Sequence, residues 1–275
     1  MAKLRPRTFI GPLVVLAFLA FLYFPTFQWL VNSWLHSSYY SHGFLILPIA
    51  VFIAWTRRKE LRRSTPSRIG IWALVAGLAL YVGGMLYGSR FLCALSFLVV
   101  LSGLVLYFRG RRAFRALAFP LCFLVFMIPL PFLDTIGFWL QSFSAQSSAW
   151  VISQFDIPVT RTGTEIHLGN TSFVVGLPCS GLNSLIALLA LAALFAYVLK
   201  GLFVKKLMLF IFSVPVAMFA NLLRLVGLLL IGNHWGAEAA TGFMHTAFSP
   251  LFFIVSLVCL AILAKVLGLR FWKPA

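Results

Sequence analysis

Apolar runs long enough to cross a bilayer recur along this chain, each closed by a short polar or basic stretch. A membrane helix needs about 20 consecutive apolar residues. Eight stretches approach that length: 10–31, 43–56, 69–88, 91–108, 114–131, 182–199, 207–231 and 247–267. The second is short and extends outward through Tyr39-Tyr40-Ser41-His42-Gly43. The pattern lapses for long only over residues 132–181. The first half of that segment, from Ile136 to Ile152, interleaves apolar residues with Gln141, Ser142, Ser144, Gln146, Ser147 and Ser148 at helical spacing. This predicts an amphipathic helix lying in the outer interface. Such polar residues are costly against lipid, so a ninth spanning or re-entrant segment is not expected. The second half carries short β-branched runs separated by Thr162-Gly163 and Gly169-Asn170, which predict small strands leading into Pro178-Cys179. The expected fold class is an all-α polytopic membrane protein of about eight transmembrane helices. A small strand-containing outer segment precedes the sixth, within a single integral membrane domain over 1–275.

Composition agrees with the pattern. The chain is 62% hydrophobic and 10% charged, with a mean hydropathy of +1.01. A soluble domain of this length would need far more polar surface to cover its core. The net charge of +17 would suggest nucleic acid in a soluble chain, but here it is a topology signal. Of the 22 lysines and arginines, all but Arg90, Arg161 and Arg224 fall in residues 3–7, 57–68, 109–115, 200–206 and 265–273. Those segments share one side if both termini lie in the cytoplasm, as positively charged loops prefer. Membrane lipid is therefore an expected partner, nucleic acid is not, and the cytoplasmic (inner) membrane is the expected location. The first run follows Lys3, Arg5 and Arg7 and lacks a small-residue cleavage site, so it is expected to remain as a helix.

Four cysteines, Cys93, Cys122, Cys179 and Cys259, lie in or beside separate apolar runs without CxxC spacing, a distribution that fits neither a zinc site nor a disulfide framework. Cys179 stands apart within Pro178-Cys179-Ser180-Gly181-Leu182-Asn183-Ser184-Leu185. It sits at the mouth of the sixth run, where unsatisfied helix N–H groups favour a thiolate. Arg224, in Asn221-Leu222-Leu223-Arg224-Leu225, lies about seven residues inside the seventh run, roughly 10 Å deep at 1.5 Å per residue. An arginine at membrane depth costs about 2.5–3.5 kcal/mol on insertion scales and usually faces a polar cavity. Asn221 shares its face at i−3. His245 precedes the last run at the same level, and His42 opens the second. A thiol, a guanidinium and an imidazole meeting on one side of a membrane would supply a nucleophile, an anion stabiliser and a base.

The acidic residues are Glu60, Asp134, Asp156, Glu165 and Glu238, none within a predicted span. Proton-coupled carriers, metal-dependent glycosyltransferases and intramembrane aspartyl proteases all need membrane-level carboxylates, so these classes lack their parts. Thiol chemistry needs neither a carboxylate nor a metal, and no cofactor is expected.

At Ser41-His42-Gly43-Phe44, the Pro178–Leu185 motif, Asn221-Leu222-Leu223-Arg224 and His245, the chain resembles the exosortases, relatives of the archaeosortases and functional analogues of the sortases. The resemblance covers roughly residues 36–265. It implies that Cys179 is the nucleophile, Arg224 the anion stabiliser and His245 the base, with His42, Ser180, Gly181, Asn183 and Asn221 binding substrate or supporting the site. It also implies partners: exported proteins with a C-terminal tail made of a motif such as Pro-Glu-Pro, a membrane helix and a basic cluster. The acceptor is left open between water, an amine and a hydroxyl. One departure is local. Family members often carry Ser-Gly or a lone Gly shortly after the histidine, where this chain has His245-Thr246-Ala247-Phe248-Ser249-Pro250. Two other readings stand beside this one: a rhomboid-type serine protease using Ser180, and a non-catalytic component of exopolysaccharide assembly in which Arg224 binds a lipid or sugar phosphate.

Overall fold

Tyr23 divides the first apolar run into two helices, α1 (Arg7–Leu22) and α2 (Phe24–His36). Pro25 lies in the first turn of α2, where a missing N–H costs no hydrogen bond. The break is held from inside. Tyr23 is fully buried, its Oη is 3.0 Å from Ser96 Oγ, and its ring lies 4.7 Å from that of Tyr81. Tyr81 Oη donates to Leu22 O at 2.7 Å, satisfying a carbonyl at the end of α1. The computed structural model describes residues 7–61, 65–168, 171–236, 238 and 243–270. It divides into two compact units, Met1–Leu130 and Pro131–Ala275.

In the first unit, α3 (Gly43–Thr56), the single turn α4 (Arg58–Leu61), α5 (Ile69–Leu86) and α6 (Arg90–Phe123) follow, and α6 runs into a 3-10 turn, Leu124–Met127. Gly110 interrupts α6 with φ 76° and ψ −174°, so the predicted spans 91–108 and 114–131 fall on either side of a break. A heptad-spaced row of glycines joins α5 to α6. A Cβ at Gly77 would come within 2.9 Å of Val100 N, and one at Gly84 within 2.9 Å of Cys93 N. Gly103 answers from α6, 2.8 Å from Leu74 N by the same measure. Such small residues let two membrane helices touch backbone to backbone, where van der Waals contact replaces the missing hydrophobic drive.

In the second unit, α7 (Leu133–Ser153) precedes three strands, β1 (Val159–Thr162), β2 (Glu165–Leu168) and β3 (Thr171–Val174). They form an antiparallel meander with Thr162 opposite Glu165 and Leu168 opposite Thr171. Gly163 takes φ 64° in the first turn; Gly169 and Asn170 lie outside the described residues. The helices α8 (Leu182–Val198), α9 (Phe203–Trp235) and α10 (Phe243–Val266) complete the unit. Ala145 and Ile152 of α7, Ile166 and Phe173 of the sheet, and Leu225 and Leu229 of α9 make one buried cluster. The sheet is thereby fixed to the helix that carries Arg224.

Among the described residues, four helices are long and apolar enough to cross a membrane: Ile69–Leu86, Arg90–Met127, Phe203–Trp235 and Ala247–Val266. Gly43–Thr56 and Leu182–Val198 are apolar but shorter. The α7 helix covers the predicted residues; Ser142 and Gln146 face outward, but three other polar residues do not. Gln141, Ser144 and Ser148 are buried, while Phe138, Trp139 and Trp150 are exposed. The cost of setting Gln141, Ser144 and Ser148 against lipid is avoided by their burial inside the protein.

The glycine row gives a direct test. Gly77→Val should lower the thermal midpoint in detergent, with an overpacking cost of about 1–3 kcal/mol. Gly83→Val, with open space around its Cβ, should leave the midpoint unchanged.

Candidate active site

The stretch Gly176-Leu177-Pro178-Cys179-Ser180-Gly181 has no room to start a helix at its cysteine. Leu177–Cys179 form a 3-10 turn, in which Cys179 N donates to Gly176 O at 2.9 Å and Ser180 N to Leu177 O at 3.1 Å. Gly181 then takes φ 85° and ψ 1°, a left-handed conformation that glycine adopts without strain, and α8 starts at Leu182. Cys179 thus lies one turn before the helix, not at its first residue. The N–H groups of Cys179 and Ser180 are taken by the turn itself, so the positive group beside the thiol has to come from elsewhere.

It comes from α9. Arg224 is 5% exposed, and its Nη2 donates to Cys179 Sγ at 3.5 Å. One turn earlier, Asn221, also 5% exposed, uses both amide hydrogens of Nδ2. One goes to Cys179 O at 3.1 Å and the other to Ser144 Oγ at 3.2 Å. Ser144 passes its own hydrogen to Ser180 O at 3.4 Å, and Gln141 Nε2 donates to Val175 O. Two carbonyls of the cysteine segment, and that of Val175 just before it, are therefore held by side chains of α7 and α9. A buried carbonyl left without a donor costs about 1–3 kcal/mol, so these side chains fix the turn as well as filling space.

Gly181 belongs to the same contact. A Cβ there would lie 2.8 Å from Asn221 Cγ and 3.0 Å from its Nδ2. Any side chain at 181 would displace the amide that holds Cys179.

A family model described as transmembrane exosortase matches residues 34–262, most of the chain and all of this site. The chain belongs to the transmembrane exosortase family. No curated protein and no solved structure matches it. With its several long apolar helices, this exosortase is a multi-pass membrane protein.

The other predicted residues of the exosortase have surroundings of their own. Ser180 is 2% exposed, and its Oγ accepts Leu182 N–H at 3.3 Å, which makes it a cap at the entrance of α8. Asn183 is half-buried, and its Oδ1, like Asn221 Oδ1, is buried without a hydrogen-bond partner among the described residues. His245 is the third residue of α10, and its side chain lies outside the described residues. His42 belongs to the first unit, in the loop between α2 and α3. There its Nε2 donates to Phe126 O at 3.2 Å and its ring stacks on Tyr40 at 5.9 Å. Burial holds the His42 imidazole below its ordinary pKa range. Burial also pushes the Tyr40 hydroxyl up to about 12, while it accepts Leu130 N–H at 2.8 Å. Among the described residues, no three His, Cys, Asp or Glu side chains cluster as a metal ion would require.

Sequence reasoning missed Gln141 and Ser144 as site residues. The signal was present, since Gln141, Ser144 and Ser148 share one face of α7 at i, i+3 and i+7, opposite Trp139 and Trp150.

Gly181→Ala should destabilise the exosortase by about 2–3 kcal/mol, from the left-handed backbone and the clash with Asn221 together. Asn221→Ala in the same background removes the contacts with Asn221 Cγ and Nδ2, and leaves the 3.0 Å approach to its Cβ and the backbone cost. Thermal unfolding of the two single variants and the double variant should therefore show less than additive losses.

Proposed function

We propose that this exosortase is a cysteine peptidase and transpeptidase that removes the C-terminal sorting tail of exported proteins at the outer face of the cytoplasmic membrane. The observation that carries the reading is the buried Arg224 guanidinium donating to Cys179 Sγ at 3.5 Å. A cation at membrane depth directed at a thiol serves both a thiolate and the oxyanion that forms beside it.

In this reading the chain crosses the membrane eight times, with both termini and the basic segments in the cytoplasm. The α7 helix and the three-stranded sheet lie on the outer side. A substrate's tail helix lies among the spans and brings its scissile bond to Cys179. His245 takes the thiol proton. The sulfur then bonds to the carbonyl carbon, and the carbonyl π electrons move to oxygen. Arg224, with five N–H donors in a fixed fork, keeps one toward sulfur and turns another to the oxyanion in a water-poor setting, where such contacts are strongest. Collapse breaks the C–N bond, and the departing amine takes the proton back from His245. A thioester on Cys179 remains, and water, an amine or a hydroxyl completes the transfer. The acceptors Asn183 Oδ1 and Asn221 Oδ1, unfilled among the described residues, suit the N–H groups of an extended peptide. The burial and capping bond of Ser180 favour the thiol over that hydroxyl as nucleophile.

The test is co-expression with a protein bearing such a tail, followed by intact mass. Wild type should release the tail, Cys179→Ala should release none, and Arg224→Lys should act about 10²–10³-fold more slowly, as for loss of an oxyanion donor. Tail release by Cys179→Ala would overturn the reading.

A further inference from the structure

Beyond the ends of α8 and α10, two short segments run antiparallel. Lys200 N donates to Arg270 O at 2.8 Å, and Arg270 N to Lys200 O at 3.2 Å. This bridge borders a cavity of about 950 Å³ within the second unit. Phe195, Leu199 and Ala261 give it apolar walls, and Lys200, Lys265 and Arg270 give it a cationic rim. Lys205 reaches the same rim from the first turn of α9, its Nζ 3.4 Å from where a Cβ at Gly268 would stand. Neither segment that builds this end, 195–206 or 261–270, contains an aspartate or glutamate.

Basic pockets between membrane helices recruit anionic head groups. An inorganic anion would answer the rim and leave the apolar walls facing water. An anionic phospholipid answers both, with its phosphate among the cations and its acyl chain along Phe195, Leu199 and Ala261. We infer that this cavity binds an anionic phospholipid, whose phosphate Lys200, Lys265 and Arg270 hold and whose acyl chain lies against the apolar wall between α8 and α10. The lipid ties the C-terminal segment to the α8–α9 turn, in support of the bridge.

The experiment uses the purified full chain in neutral detergent with phosphatidylglycerol, with phosphatidylcholine as the comparison lipid, and counts retained lipid by native mass spectrometry. Wild type should retain phosphatidylglycerol in preference to phosphatidylcholine. The triple change Lys200→Gln, Lys265→Gln, Arg270→Gln should weaken that retention by about 10–100-fold. Ala261→Trp, which fills the apolar wall and keeps every charge, should weaken it as well, and the charge-preserving pair Lys265→Arg and Arg270→Lys should retain it. A control triple, Arg111→Gln, Arg112→Gln, Arg115→Gln, should bind as wild type. Undiminished retention by the first triple or by Ala261→Trp would overturn the proposal. Equal loss in the control triple would mean surface charge alone, and displacement of the lipid by millimolar inorganic phosphate would mean a free-anion site. Either would overturn it too.

Discussion

A buried arginine in an apolar helix is the constraint around which the second unit is arranged. Arg224 lies well inside α9, a helix of 33 residues, or about 50 Å at 1.5 Å per residue. A guanidinium there requires polar atoms nearby, and the chain brings them to it: the thiol of Cys179 directly, and the amide of Asn221 one turn away. The surrounding features follow. The cysteine segment has to turn tightly to reach α9, so Gly181 adopts a left-handed backbone. Asn221 then occupies the space that a side chain at 181 would need.

The network beside the thiol is built largely on backbone carbonyls. Gln141, Ser144 and Asn221 hold the carbonyls of Val175, Ser180 and Cys179 in turn. A segment left short of its own helix partners is thereby kept in one conformation. The sheet contributes through Phe173, which packs against α9 at Gly232, and so sets the height at which the segment leaves β3. Groups already in place thereby hold the turn that carries Cys179 beside Arg224.

Much of this was legible in the sequence because it rests on spacing and on cost. Asn221 and Arg224 had to share a helical face, and an arginine at that depth had to have a polar setting. Thr162-Gly163 marked a real turn between strands, and the Pro178-to-Gly181 stretch a real bend. What sequence could not give was direction. The polar stripe of α7 implied an amphipathic helix, but not that Gln141, Ser144 and Ser148 would turn inward and its tryptophans outward, because periodicity defines a face without saying which surroundings it meets. The break at Tyr23 was hidden for a related reason. An apolar run reads as continuous, and only the buried Tyr23, Tyr81 and Ser96 contacts show where the helix stops. The run 182–199 placed the start of α8 where it lies, but not the 3-10 turn that sets Cys179 one turn ahead of it, because such a turn and a helix N-terminus have the same residue signature.

The account turns on whether the Cys179 sulfur becomes covalently acylated. The measurement that tests this most directly is rapid acid quenching of the purified exosortase with a tailed substrate, followed by peptide mapping of Cys179 with and without hydroxylamine. The account predicts a substrate-derived acyl mass on the Cys179 peptide that hydroxylamine removes, as a thioester requires. Tail removal at full rate, with the Cys179 peptide unmodified at every quench time, would contradict it.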